Sequence, residues 1–363
     1  MMEKTLPEVC TIQYGFPFDS SKFCSAEGVP LVRIRDVVRG YSETYTTETA
    51  GENYIVKDGD LLIGMDGEFN IAYWKGGRAY LNQRVCRLIP REDVDRDYIF
   101  YYMPKALKAI EDATPFVTVK HLSAKQLSKI LIPLPDMKEQ QRISAVLRSV
   151  DRVIAMRQKE LDELNNLVKS RFIELFGMPG TDAFGWGLVP LGSTCNINPK
   201  KSLDSRLVSG AVVSFVPMPA VTEHGEIDAT AIKEYDEVKT GFTYFAENDV
   251  LFAKITPCME NGKGAVAKGL HNGIGFGSTE FHVLRPISGK TDPYWIYTLT
   301  AFSQFRMDAA SNMTGSAGQR RVPASFLENY RVSLPPIALQ EQFAAFVEQT
   351  DKSKLCGKME VAA

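Results

Sequence analysis

The sequence predicts a mixed α/β chain of the α+β type. Two tandem strand-rich domains are related by pseudo-two-fold symmetry and separated by long helices that pair as an antiparallel coiled coil. Three observations predict this: the chain repeats itself, each copy runs from short strands into a proline-marked helix, and the first such helix carries a heptad seam. Leu134-Pro135 recurs as Leu334-Pro335, while Lys120 meets Arg320, Gln140 meets Gln340 and Asp151 meets Asp351, all at a shift of 200. Nearer the start of each half the shift falls. It is 196 from Tyr98-Ile99-Phe100-Tyr101 to Tyr294-Trp295-Ile296-Tyr297, and 189 from Gly59-Asp60-Leu61-Leu62 to Asn248-Asp249-Val250-Leu251. Leu6, Cys10 and Ile12 meet Leu191, Cys195 and Ile197 at 185. The matches keep their order while the offset grows, as insertions in the second copy require. A period this long marks a duplicated domain and not a solenoid.

Each copy opens on short strands broken by Gly, Asn and Asp turns, such as Asp60-Leu61-Leu62-Ile63-Gly64 and Val250-Leu251-Phe252-Ala253. A helix is expected near Asp97–Ile110 and again near Pro293–Ala310. A short strand then ends in proline, at Ile130–Pro135 and Tyr330–Pro336, and a helix starts directly behind it. From Met137 to Phe176 there is no Pro or Gly. Ile143, Leu147, Val150, Ile154, Arg157, Leu161, Leu164, Val168, Arg171 and Leu175 step alternately by four and three, a coiled-coil seam with two arginines in it. At 1.5 Å per residue the rod is about 60 Å long. Gly177, Pro179 and Gly180 end it. The resulting boundaries are 1–134, a spacer helix 135–179, 180–334, and a second helix 335–363. That second helix is expected to stop at Gly357, well short of its counterpart, and to leave Ile143, Val146, Leu147, Val150 and Ile154 uncovered. An open apolar stripe would then self-associate or be covered by another subunit.

The composition excludes several function classes. A chain of 363 residues, 44% hydrophobic and 24% charged, has room for more than one core. No apolar run nears the roughly 20 residues of a membrane span, and Met1–Pro7 lacks the apolar centre of a secretory signal. A cytoplasmic protein without membrane contact is expected. Cys10, Cys24, Cys86, Cys195, Cys258 and Cys356 form no C-x-x-C pair, and His121, His224, His271 and His282 show no metal-ligand spacing. No G-x-x-x-x-G-K-[ST], G-x-S-x-G or H-E-x-x-H motif occurs. Gly273-Ile274-Gly275-Phe276-Gly277 reads as a glycine-rich turn, and Leu334-Pro335-Pro336-Ile337 is not the tetrad of an adenine methyltransferase. No metal or cofactor is expected on this chain, and no catalysis.

The repeat nevertheless resembles one family, the DNA-specificity subunits of type I restriction–modification systems. The resemblance is carried by Val119-Lys120-His121-Leu122, by Ile132-Pro133-Leu134-Pro135 with Glu139-Gln140-Gln141-Arg142-Ile143, and by Lys169-Ser170-Arg171-Phe172-Ile173-Glu174-Leu175-Phe176-Gly177. Leu334-Pro335-Pro336 with Gln340-Glu341-Gln342-Phe343 mirrors the second of these, and Gly59–Gly67 with Leu81-Asn82-Gln83-Arg84 fits as well. The resemblance implies two target recognition domains, each reading half of a split, asymmetric site in double-stranded DNA. It also implies helices that act as ruler and docking platform for two methyltransferase subunits, with restriction subunits beyond. S-adenosylmethionine, ATP and Mg would belong to those partners.

A balance of 42 Lys+Arg against 44 Asp+Glu, net charge −2, is not that of a lone nucleic-acid binder. Local groups must then do the reading, with partners neutralising phosphates. Candidates are Arg33, Arg35, Lys75, Arg78, Gln83, Arg84 and Lys120 in the first copy. In the second they are Lys200, Lys201, Lys254, Lys263, Gln319, Arg320 and Arg321. Arg pairs bidentately with guanine and Gln with adenine, which suits base readout. The run Thr314–Arg321 is the foremost single candidate, since small residues let its backbone approach a phosphate. A solvated surface charge is the plain alternative for each. At the level of the whole chain the alternatives are a coiled-coil adaptor without DNA specificity and a DNA-modifying enzyme with unrecognised motifs.

Overall fold

The computed structural model describes residues 2–114, 120–316 and 318–362. Val119 of the first resemblance motif and Ala317 of the Thr314–Arg321 run lie outside the described residues. The chain divides into two compact units, Met1–Ala155 and Met156–Ala363. The division falls inside the long helix, so that each unit keeps half of it, where the sequence treats the helix as a separate segment.

In the first unit, strand Met2–Thr5 pairs antiparallel with Leu131–Leu134, closing the ends of the domain on one another. A four-stranded sheet follows in the order Cys10–Tyr14, Val85–Pro90, Leu61–Gly64, Asn70–Tyr73. Helix α1 (Arg96–Ala113), capped by Asp95, buries Tyr98, Ile99, Met103 and Leu107 against it. A second sheet of short strands places Val29–Val32 parallel to Ala79–Leu81, which pairs antiparallel with Ile55–Val56. Leu62, Trp74, Leu81 and Val85 fill a core between strands of the two sheets.

The second unit repeats this plan, with four strands in its smaller sheet where the first unit has five. Leu188–Pro190 pairs with Arg331–Ser333. The four-stranded sheet runs Cys195–Ile197, Phe281–Pro286, Val250–Ala253, Gly264–Val266. The smaller sheet again contains one parallel pair, Val212–Val216 with Ile274–Gly277, and the latter pairs antiparallel with Thr243–Ala246. The Gly273–Gly277 run is thus mainly a buried strand. A Cβ on Gly275 would lie 2.1 Å from the Phe245 ring, and one on Gly277 would lie 2.2 Å from the Val216 carbonyl. Close packing between strands accounts for these glycines.

The helices depart from expectation in three places. Helix α2 (Met137–Phe176) is continuous, as the pattern requires. Its seam, however, is not buried along its length. Ile143 packs against the first unit's core, whereas Val146, Leu147, Val150, Val153 and Ile154 are exposed. Toward the other end Val168, Phe172 and Phe176 enter the second unit's core. The expected helix at Pro293–Ala310 is two helices, α3 (Pro293–Ala301) and α4 (Ser303–Ser311). Phe302 between them is extended, with φ −69° and ψ 141°, and the break lets Leu299, Phe302 and Phe305 all reach the core. Helix α5 (Ile337–Ala362) does not stop at Gly357 but runs through it. Phe343, near its start, meets Phe172 and Phe176 at ring separations of 5.6 and 5.4 Å. The start of one helix on the end of the other is the contact expected of an antiparallel pair.

Candidate nucleic-acid interface

In the first unit three loops converge at one end of the four-stranded sheet. The loop after strand Leu61–Gly64 supplies Met65 and Gly67, the turn before Val85–Pro90 supplies Arg84, and the segment ahead of the short helix Ala124–Leu127 supplies Lys120 and Leu122. Three backbone bonds fix them. Met65 N–H donates to the Arg84 carbonyl at 3.0 Å, Leu122 N–H to that of Met65 at 2.7 Å, and Gly67 N–H to that of Lys120 at 2.9 Å.

The second unit builds the same frame. Lys254 N–H donates to the Glu280 carbonyl at 2.9 Å, Val322 N–H to that of Lys254 at 2.9 Å, and Thr256 N–H to that of Arg320 at 3.0 Å. Residue by residue, Lys254 stands where Met65 does, Glu280 where Arg84 does, Arg320 where Lys120 does and Arg321 where His121 does.

On this shared backbone the side chains differ. In the first unit Asp66 sits between a histidine and the candidate Arg84. His121 Nδ1 donates to Asp66 Oδ1, and Arg84 pairs with Asp66 Oδ2 at 3.4 Å. Arg84 and His121 remain about half exposed while Asp66 is largely covered. In the second unit the acid has moved to the middle loop. Glu280 accepts two bonds from Arg321, at 2.9 and 2.8 Å, and the guanidinium holds the Glu280 carboxyl below its usual range. Beneath it, buried His282 donates from Nε2 to the Val322 carbonyl at 2.8 Å and accepts from Asn198 Nδ2 at 3.0 Å. Burial pushes its ring toward the neutral form.

The candidate residues distribute unevenly over this frame. Gln83 and Arg84 lie exposed in the middle loop of the first unit. Lys120 is half-buried, its ammonium donating to the Glu111 carbonyl near the end of α1 at 2.6 Å. Arg33 and Arg35 flank Ile34, whose side chain packs over Gly64, so the start of helix Ile34–Arg39 lies at the edge of the cluster. Lys75 packs beside Gly40 at that helix's other end, and Arg78 pairs with Glu52 at 2.7 Å. In the second unit Lys254, Arg320 and Arg321 are in the frame, with Gln319 exposed next to them. Lys263 joins through a bond from Ala253 N–H to its carbonyl at 3.1 Å. Lys200 and Lys201 stand apart, with the Lys201 ammonium on the Lys239 carbonyl. Asp66, His121 and Glu280 complete the clusters and were not among the candidates. The signal was available for two of the loops, where aligning the copies sets Arg84 against Glu280 and Lys120-His121 against Arg320-Arg321.

Among the described residues, no group of His, Cys, Asp and Glu could hold a metal ion, and no helix is long and apolar enough to cross a membrane.

Comparison with known proteins agrees with this architecture. The model of the type I restriction modification DNA specificity domain matches residues 1–166 and again residues 185–357. The EcoEI specificity subunit of Escherichia coli is 43% identical over 153 residues, covering 42% of this chain and 25% of its own length. The EcoAI specificity subunit of the same organism is 38% identical over 205 residues, 56% of this chain and 32% of its own. The matches thus span a quarter to a third of these curated relatives. Among solved structures, the S subunit of a type I system from M. genitalium superposes with a TM-score of 0.53 at 14% identity, covering 99% of this chain and 92% of that one, a likeness of fold. The chain belongs to the family of type I restriction modification DNA specificity domains and carries that domain twice.

Proposed function

We propose that this chain is the non-catalytic reader of a type I restriction–modification complex, and that each unit reads one part of a bipartite site in double-stranded DNA. The observation that carries the reading is the three-loop frame, built by the same three backbone bonds in both units and dressed with different side chains. An identical frame gives both units the same way of meeting a duplex. The exchange of Asp66, Arg84 and His121 for Ile255, Glu280 and Arg321 gives them different donor and acceptor patterns, as an asymmetric site needs. The exposed stripe Val146, Leu147, Val150, Val153 and Ile154 on α2 is offered as the docking surface for the methyltransferase subunits. Restriction subunits join through that assembly. S-adenosylmethionine, ATP and Mg are carried by the partners.

The test is co-expression with the methyltransferase subunit and genome-wide mapping of methylated adenines, with the partner alone as control. A split motif that appears only with this chain supports the reading. Co-purification without any motif would favour a protein adaptor instead.

A further inference from the structure

Two cations of the second unit lack a counter-charge. Lys169 on α2 and Arg306 on α4 are both half-buried, yet neither side chain makes an ion pair or hydrogen bond with any described residue. The core brings them together. The rings of Phe172 and Phe302 meet at 5.2 Å. Lys169 lies three residues before Phe172, and Arg306 lies four residues after Phe302 and donates its backbone N–H to the Phe302 carbonyl at 3.1 Å. Each cation is therefore one helical step from the same aromatic contact. The Lys169 ammonium is pushed toward its neutral form, first by burial and then by Arg306.

Arg306 also reaches the loop frame. Its guanidinium lies against Gly262, where φ is +88° and a Cβ would fall 1.7 Å from Nη1. Gly262 precedes Lys263, whose carbonyl accepts from Ala253 N–H just before Lys254, so Arg306 abuts the turn that leads into the loop frame. Asp351 and Glu226 share the surroundings of Tyr297 with Arg306 but neither ion-pairs with it, and half-burying two like charges with no carboxylate in direct contact is unfavourable on both desolvation and Coulomb grounds. A single shared anion removes both penalties. The neighbouring basic loops make a DNA phosphate the anion that fits, since phosphate contacts position a reader without carrying sequence.

We propose that Lys169 and Arg306 clamp one backbone phosphate of DNA beside the reading loops of the second unit. The proposal rests on the DNA-reading function above and adds a specific positioning site to it. The test uses the complex with its methyltransferase subunit and measures DNA affinity against salt concentration. Lys169→Met with Arg306→Met is expected to weaken binding by a similar factor on every sequence and to flatten the slope of log K against log salt by about 0.9. The methylated motif stays the same. Lys169→Gln with Arg306→Gln serves as a second neutral pair, and Lys169→Arg should retain the wild-type slope. The free chain carrying either neutral pair should melt no lower than wild type, because an uncompensated charge has been removed. An unchanged slope in both neutral pairs, with wild-type DNA binding intact, overturns the clamp and leaves the reading function standing. Loss of co-purification with an unchanged slope assigns the pair to a partner carboxylate and likewise overturns it. A wild-type complex that shows no selective DNA binding overturns the parent reading and the clamp with it.

Discussion

The side-chain carbonyl of Gln140 accepts the backbone N–H of Asp95 at 2.8 Å, so the first turn of α2 holds the residue that caps α1. The Gln140 amide also donates to the Pro135 carbonyl at 2.9 Å. Gln340 does the same work in the second unit, accepting from Asp292 N–H at 3.0 Å and donating to the Pro335 carbonyl at 2.8 Å. Both glutamines are buried. The Gln behind each Leu-Pro step is therefore a joint between the spacer helix and its own unit.

Replacing either glutamine by Leu strands a backbone N–H and a carbonyl that are partly or wholly shielded from water. Each stranded group costs roughly 1–3 kcal/mol, so about 2–6 kcal/mol is expected for the pair. Gln140→Leu should lower the unfolding transition of the first unit and Gln340→Leu that of the second. Urea melts monitored by unit-specific fluorescence distinguish them, and a loss below about 0.5 kcal/mol would contradict the joint.

An ion pair also recurs at the aligned turns. Arg285 donates to both oxygens of Asp249, at 2.8 and 2.7 Å, and Arg87 donates to Asp60 at 2.8 Å. Asp249 is almost fully buried, while water still reaches Asp60. Breaking a buried pair from one side costs about 3–5 kcal/mol. Asp249→Ala should fall in that range and Asp60→Ala below it, as measured by thermal unfolding. Equal losses would mean that burial does not set the difference.

His282 makes the second unit pH-sensitive. Its folded-state pKa is depressed, mainly by burial, so below the ordinary value near 6.5 the unfolded chain binds a proton that the folded chain refuses. Stability is therefore complete above about pH 6.5 and declines as pH falls toward the folded pKa, at up to about 1.4 kcal/mol per pH unit. Denaturant midpoints between pH 7.5 and 5 should show this decline. His282→Gln should flatten it, at the cost of some stability at pH 7.5. A decline of the same steepness in the variant would place its origin elsewhere.

Arg84 and Arg320 occupy different loops of the two frames, and both are exposed. Under the proposed function, Arg84→Ala relaxes the methylated motif at a base in one half only, and Arg320→Ala acts only on the other half. A bidentate base contact is worth about 1–3 kcal/mol, roughly five- to 150-fold in preference. Methylation mapping of the two variants reads the outcome directly. A change in both halves from a single substitution would contradict two independent readers.

The sequence carried the architecture because the signals involved are local or copied. The heptad spacing of α2 needs only the residues of one helix, and its seam from Ile143 to Leu175 lies inside the single helix Met137–Phe176. What the spacing could not tell was which stretch is covered. Leu147, Val150 and Ile154 fit the seam as well as Val168 does, but only Val168 meets a core, one that Phe172 and Phe176 share from outside the seam. The break at Phe302 was hidden for a related reason. Nothing in Pro293–Ala310 disfavours a continuous helix, and the extended residue arises from packing three aromatic and aliphatic side chains against one core.

By itself the sequence determined that a domain occurs twice, in what order its main strands and helices run, and that one long helix follows the first copy. Duplication and periodicity are properties of neighbouring residues, so they survive in one dimension. Only the tertiary structure decided which charges meet. Asp66 and His121 stand 55 positions apart and Arg321 and Glu280 stand 41 apart, and no local pattern pairs residues at such separations. Sheet register and loop closure bring them together. The polar candidates that looked alike along the chain thereby become structural bonds, as with Lys120 and Arg321, or exposed groups, as with Gln83 and Arg320.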